Sequence, residues 1–505
     1  MQSTEQFNNN VIMKREEKEG IYRMRKRKWA AGMLLSLAIA VTSLTGCQKP
    51  ALPGTESTEK SGSAESSKNN ANTDNQKTDT VEGSKNNTDQ NGFEGVKVTV
   101  FTDEIITNDE TFMEYFNQNS GGIELEIVSG DMTKLMSMVA TGNAPDVWYT
   151  RACYDLNTYA SRGLLEPLDS YIEKSEVFHA DTFTNVVNAT RFNGVSVGTG
   201  SIYSIIKDFS VDDMIWINKK IFEECGIEIP DPTKTYSYDQ IREWAEKTVK
   251  YDENGDQIRW GISACETLYQ KISAHLASMG KSLFSEDNRS AQLDDPDVRN
   301  VLEYWVDMIK SGKSCYLEHS GDASYALFEQ DKLAMMQLGY WYNGLLVNNG
   351  NFKDRLDNYL LIQSPSQNEG SPAGVCEAGV GYAIYSGSKN KDAAFRFLEL
   401  FLGGDWAKKR VESGWGNPEL GELVEYMPQD TEFRKMAFDS NKIALENMSI
   451  MSINPYILGS AVDNVFNTYL MEVMYDNMTM DDAIESISND LNTLIREGLQ
   501  IAGVE

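Results

Sequence analysis

The side chains able to do chemistry in this chain are aromatic rings and carboxylates rather than the usual catalytic groups. Only three histidines occur among 505 residues, His179, His275 and His319. Their spacing fits no metal-ligand pattern, so metal-assisted hydrolysis lacks ligands. Gly194-Val195-Ser196-Val197-Gly198 satisfies the G-x-S-x-G pattern. That motif activates its serine only on a turn leading directly into a helix, and the GTGSIYSI that follows Val197 reads as strand. Asp252 to Asp256, DENGD, opens like a calcium loop, but Gln257 stands at the glycine position and Ser263 at the bidentate glutamate position. A hairpin turn at Asn254-Gly255 is the better reading. Glycoside hydrolysis would need two carboxylates at a fixed separation, and nothing in so acidic a chain marks one pair. Neither a cofactor nor a catalytic residue is assigned.

What remains is binding chemistry, and it concentrates between Lys134 and Asp169. Leu135, Met138 and Val139 sit at i, i+3, i+4, so this segment is an amphipathic helix, stopped by Gly142 and Asn143. Ala144 to Tyr149 reads as a short buried strand, and it carries Trp148 at its end. The loop Tyr149 to Asp155, with Arg151 inside it, is expected to be exposed and to face a crevice at the carboxyl edge of a sheet, where open α/β folds place ligands. A second helix ends at Gly163, and LLEPLD closes the unit. Upstream, Val96, Val98 and Val100 alternate, a helix-like ETFMEYFNQ follows, and Ile123, Leu125 and Ile127 alternate again. This β-α-β-α-β run predicts a parallel sheet with right-handed crossovers.

The Lys134–Asp169 stretch, with its small-x-APDV strand and G-L-L-x-x-L-D closure, resembles the family 1 extracellular solute-binding proteins of ABC importers, the maltose-binding-protein-like class. Segments matching in the same order carry the resemblance from Val96 onward. It implies an α/β, two-lobed periplasmic-binding-protein-like fold, each lobe a mostly parallel sheet flanked by helices, joined by hinge crossings. Lobe 1 would be 94–207 plus 378–413, and lobe 2 would be 208–377 plus 414–505. Ser201 to Asn218 matches the first crossing. Lys207, Asp208 and Asp212 there would either hydrogen-bond ligand hydroxyls or stand as solvated charges flanking a strand. Tyr325 to Gly344, YALFEQDKLAMMQLGYWYNG, resembles the segment whose tryptophan lies at the cleft floor, so Trp341, beside Tyr340, is the first stacking candidate, with a core position as the alternative. Asp331 stands where the family usually has glycine. Ser371 to Lys391 resembles the second crossing, with Glu377 pointing at the cleft. Gly414 to Pro418 resembles the third and offers Trp415 as a second stacking candidate, again against a core alternative.

The implied ligand is a carbohydrate, an oligosaccharide first. Trp148, Tyr149, Tyr340, Trp341 and Trp415 suit ring stacking, while Asp155, Asp208, Asp212 and Glu377 suit bidentate hydroxyl contacts. Arg151 and Lys207 keep a uronic or phosphorylated sugar open. The implied partners are ABC permease subunits in the membrane. A secreted glycoside hydrolase and a ligand-sensing surface lipoprotein not coupled to import are the rival readings.

The N-terminus adds an address. RMRKRK at 23–28 precedes an apolar run from Trp29 to Leu44, too short for a membrane span of about 20 residues. Leu44-Thr45-Gly46-Cys47 resembles the bacterial lipobox, so residues 1–46 read as a lipoprotein signal peptide and Cys47 as the lipidated N-terminus on the outer face of the cell membrane. Residues 47–93 read as this cysteine and a tether too poor in apolar residues to fold. Removing 1–46 takes away eight basic and four acidic side chains, turning a formal charge of −30 into −34. Such acidity argues against nucleic acid. The exported chain is expected to be a monomer. Five cysteines follow Cys47, at 153, 225, 265, 315 and 376. An odd number leaves at least one unpaired, and most read as buried apolar thiols.

Overall fold

The computed structural model describes residues 92–102, 110–263, 267–315, 322–352, 354–368, 370–371 and 373–504. The signal peptide, Cys47, most of the tether, Cys265 and His319 lie outside them. The described residues belong to one unit, Lys85–Glu505.

In chain order the strands are β1 (Lys97–Phe101), β2 (Glu124–Val128), β3 (Val147–Arg151), β4 (Arg191–Phe192), β5 (Ser201–Ile202), β6 (Ile205–Asp208), β7 (Ile215–Asn218) and β8 (Lys250–Tyr251), followed by β9 (Gln257–Ser263), β10 (Ser314–Cys315), β11 (Leu333–Gln337), β12 (Tyr359–Ile362), β13 (Gly374–Cys376), β14 (Val380–Ile384) and β15 (Met448–Ile450). Alternation drives β1: Val98 and Val100 are wholly buried while Lys97 is exposed. β2 and β3 flank it in parallel register, with Val98 opposite Leu125 and Phe101 opposite Trp148. The helices Glu110–Asn119 and Met132–Ala140 make the crossovers, the latter capped by Asp131 accepting from Lys134 N. The expected β-α-β-α-β unit is therefore present.

Each sheet is mixed: along its path a mostly parallel set of strands holds one reversed strand, β14 in the first and β7 in the second. The first runs β2-β1-β3-β14-β6 and the second β10-β9-β11-β7-β12, with β8 added beside β9. β14 is antiparallel to both its neighbours, and so is β7. The reason lies in the path of the chain. Arg151 and Asp208 end their strands opposite Val380, which begins β14. Gln337 and Ile362 end theirs opposite Ile215, which begins β7. Both sheets turn their carboxyl ends toward the crossings, so a strand entering from a crossing must run the other way.

Three segments lie side by side there. Phe209 and Asn417 exchange backbone hydrogen bonds at 3.0 and 2.8 Å, and Asp212 N donates to Val375 O at 2.8 Å. The helix Lys391–Leu402 returns to the first sheet with Ala394, Phe397, Leu398 and Phe401 buried, on the face its spacing predicts. The helix Glu432–Glu446 packs on the second sheet, Phe433 lying 5.8 Å from the ring of Trp216. Asp295 caps the helix Pro296–Lys310 with proline in its first turn, and Trp305 is core. Ser237 and Thr479 cap the helices beginning at Tyr238 and Met480, each accepting from the backbone three residues on.

Candidate functional site

The local turns decide what is available to bind. In the Asp252–Asp256 hairpin Gly255 adopts φ 82° and Asp252 N donates to Asp256 O. Ser196 lies in the connection between β4 and β5 with no helix after it, so no nucleophile elbow forms. His275 is buried, its ring stacked 3.5 Å from Tyr238. Among the described residues no group of three His, Cys, Asp or Glu could hold a metal ion.

The expected exposed loop from Tyr149 to Asp155 is not a loop. Residues Ala152–Leu156 form a turn of π-helix in which every side chain is buried. Ala152 N and Cys153 N donate to Gly379 O and Ala378 O at 2.9 Å, which binds this turn to the second crossing. Asp155 is enclosed with it. Its carboxylate accepts from Arg151 N at 3.0 Å, and burial pushes its pKa up to about 6 against the pull of Arg151. The Arg151 guanidinium lies 4.0 Å over the Tyr154 ring. Trp148 is fully buried, edge-on to Tyr159 and tilted against Tyr385. In this packing its ring offers no face to a ligand. Tyr149 alternates to the other side of β3 and is half-buried.

At the crossings the carboxylates hold backbone. Asp212 accepts from Glu377 N at 2.8 Å and Ala378 N at 3.2 Å. Asp213, which spacing did not single out, accepts from Val375 N and from the Ser364 hydroxyl. Glu377 was expected to point at a cleft, but it is completely buried and paired at 3.2 Å with Lys271, itself completely buried on the helix Leu268–Ala277. Asp208 pairs at 3.1 Å with its neighbour Lys207, both partly buried. Asp331 does take the left-handed backbone of the glycine it replaces, at φ 56°.

The aromatic candidates separate. Tyr340 is fully buried, and burial pushes its phenol pKa up to about 12. Trp341 is half-buried, edge-on to Tyr325 at 6.3 Å. Trp415 is 40% exposed. It lines a cavity of about 400 Å³ with Tyr325, Glu329, Leu345, Asn348 and Asn349, within the usual size of small-molecule sites. Tyr325 and Glu329 stand one turn apart on the helix Asp322–Glu329, and Leu345 and Asn348 share a face of the helix Tyr342–Asn348. Gly344 lets the indole approach: a Cβ there would lie 3.1 Å from Trp415 Cδ2. Glu329 is held by the side-chain amides of Asn349 and Asn351. The site thus joins two aromatic rings, a fixed carboxylate and two amides. Glu329, Asn348 and Asn349 went unnoticed in the sequence, where only their helical spacing marked them.

Two α/β lobes whose strands end at shared crossings, with an aromatic and polar cavity on one of them, define a two-lobed binding protein. Residues 102–408 match the model of the bacterial extracellular solute-binding protein family, and the chain belongs to that family. It is 24% identical over 392 residues, 75% of this chain and 78% of the relative, to an uncharacterised ABC transporter extracellular-binding protein of Pyrococcus horikoshii. Among solved structures it resembles an ABC substrate-binding protein of Listeria monocytogenes in complex with cycloalternan, at 21% identity and a TM-score of 0.65, covering 79% of this chain and 98% of that one. It also resembles a solute-binding protein of Thermotoga lettingae bound with α-D-tagatose, at 19% identity and a TM-score of 0.66, covering 79% and 100%. These likenesses show the fold.

Proposed function

We propose that this protein captures a carbohydrate, an oligosaccharide first, between two lobes and hands it unaltered to an ABC permease. The observation that carries the reading is the cavity beside Trp415. Sugar rings present C–H faces that an indole or phenol can cover, while their hydroxyls accept from amides and donate to a carboxylate. Glu329, Asn348 and Asn349 supply those groups around Trp415 and Tyr325, and the carboxylate favours a neutral sugar. Trp341, through its contact with Tyr325, extends the aromatic wall, and Tyr149 and Arg151 are our candidates for the opposite one. Trp148, Asp155, Asp212, Tyr340 and Glu377 are assigned to the framework. The sugars named in the two structural neighbours support the ligand class.

The two sheets support lobes at 94–207 plus 378–413 and 208–377 plus 414–505, closing around the solute by a hinge. Family membership supports export and a permease partner. Among the described residues no helix is long and apolar enough to cross a membrane. The lipobox-like Leu44–Cys47 supports a lipid anchor at Cys47. We read the protein as a monomer without catalytic activity.

A thermal-shift screen against mono- and oligosaccharides tests this. A ligand at 100 times its dissociation constant stabilises the native state by about 2.7 kcal/mol. A hit with the sugar recovered intact is the expected result. A shift that decays as the sugar is cleaved favours a glycoside hydrolase, and silence across the panel favours a sensory lipoprotein or another solute.

A further inference from the structure

Two cysteines that lie 223 positions apart in sequence meet in the interior. Cys153 Sγ is 3.8 Å from Cys376 Sγ, and neither side chain exposes any surface. Cys153 belongs to the π-helical turn after β3, and Cys376 ends β13 on the second crossing. In regular antiparallel register Cys153 would face Ala378, two positions from Cys376, because Arg151 pairs with Val380. Such diagonal neighbours normally stand about 7–8 Å apart. Here both segments leave strand geometry, one through the π-turn and the other through Gly379 at φ 64°, and the sulfurs come into contact.

The other described cysteines are differently placed. Cys225 accepts from the Arg259 guanidinium at 3.1 Å, and Cys315 is buried in β10 beside Ser263. The neighbouring Cys153 thiol and burial both hold the Cys376 thiol well above its ordinary pKa, and both cysteines are enclosed in the folded protein. The pair is reactive while the chain folds, when the thiols still meet solvent. Extracellular proteins fold where disulfides persist.

We propose that Cys153 and Cys376 are a disulfide site, closed during folding by exchange with an external disulfide, and that the bridge staples the second crossing to the end of β3. One thiolate attacks the external disulfide, expelling a thiolate and leaving a mixed disulfide. The second cysteine thiolate then attacks that protein sulfur and expels the other thiolate. The two cysteine protons pass to the expelled thiolates, and the two electrons given up by the cysteines reduce the external disulfide. Closure brings the sulfurs from 3.8 Å to about 2.05 Å.

The test refolds the reduced full chain in a mixture of oxidised and reduced glutathione, alkylates remaining thiols under denaturing conditions and maps peptides without reduction. The proposal rests on the export reading for its oxidising compartment, but the test depends on neither export nor sugar binding, so its failure and that of the proposed function are distinguishable. The expected product is a peptide pair joined through Cys153 and Cys376, lighter by two hydrogens than its free parts and released by reductant. Its melting temperature should exceed that of the reduced protein, since a bridge across so long a loop restricts the unfolded chain. Recovery of both cysteines alkylated, or of either linked elsewhere, overturns the assignment. A linked product that melts no higher than the reduced chain overturns the staple.

Discussion

The Lys271 ammonium lies 3.2 Å from the Glu377 carboxylate, with neither side chain exposing any surface, and the pair joins the helix Leu268–Ala277 to the second crossing. Gln270 Nε2 adds a contact to Glu377 O at 3.4 Å. Removing one member leaves an uncompensated buried charge. Lys271→Ala or Glu377→Ala is therefore expected to destabilise the protein by about 3–5 kcal/mol in urea denaturation. Replacing both together, Lys271→Met with Glu377→Leu, should cost less than either single change, because neither member is left buried against a lost partner.

Trp415 and Trp148 should respond in opposite ways. Trp415→Ala removes a ring that is 40% exposed beside the cavity, so stability should change little while sugar affinity falls about tenfold or more. Trp148→Ala opens a void in the core and should cost about 3–5 kcal/mol. Calorimetric titration and denaturation midpoints on both variants separate the two effects.

Glu419 introduces a pH dependence. It is 1% exposed, one carboxylate oxygen accepts from Ile206 N at 2.6 Å, and burial pushes its pKa up to about 8. An unfolded glutamate titrates near ~4.3, so between these values the unfolded chain has released a proton that the native chain keeps. The stabilisation is complete below ~4.3 and is lost as pH rises through about 8. Glu419→Gln keeps the acceptor and removes the proton. Its denaturation midpoint should fall less steeply than the wild type's between about pH 5 and about pH 8.

Asp331 holds φ 56° and receives Asn218 Nδ2 at 2.9 Å, Lys220 Nζ at 2.8 Å and Arg355 at 3.0 Å. Burial alone would raise its pKa, but Lys220 and Asn218, with Arg355, hold the carboxyl below its usual range. Its stabilisation is present above ~3.9 and is lost as pH falls through the lowered native value. Asp331→Ala should be the most damaging substitution, losing the donors' partner and adding about 1–2 kcal/mol of left-handed strain. Asp331→Asn should cost least, and thermal melts of the Ala, Asn and Gly variants give the order.

Features written in short-range pattern were legible. Val98 and Val100 announced β1 and Asn254-Gly255 a hairpin, because each depends on residues within a few positions. The reversed directions of β7 and β14 were not, because alternation is the same whichever way a strand runs. Trp148 and Tyr149 are adjacent aromatics on one strand, and period-two geometry sends them to opposite faces without saying which is the core. Glu377 looked like a ligand group until Lys271, 106 positions away, was found against it.

By itself the sequence determined the elements written in short-range pattern, the family pattern and the stock of rings and carboxylates. Only the tertiary structure decided which of them are occupied. A carboxylate in so acidic a chain has the same composition whether it meets a solute, a lysine or a backbone amide. Its role is set by what the fold buries beside it, as Asp212 with Ala378 and Glu329 with Asn349 show.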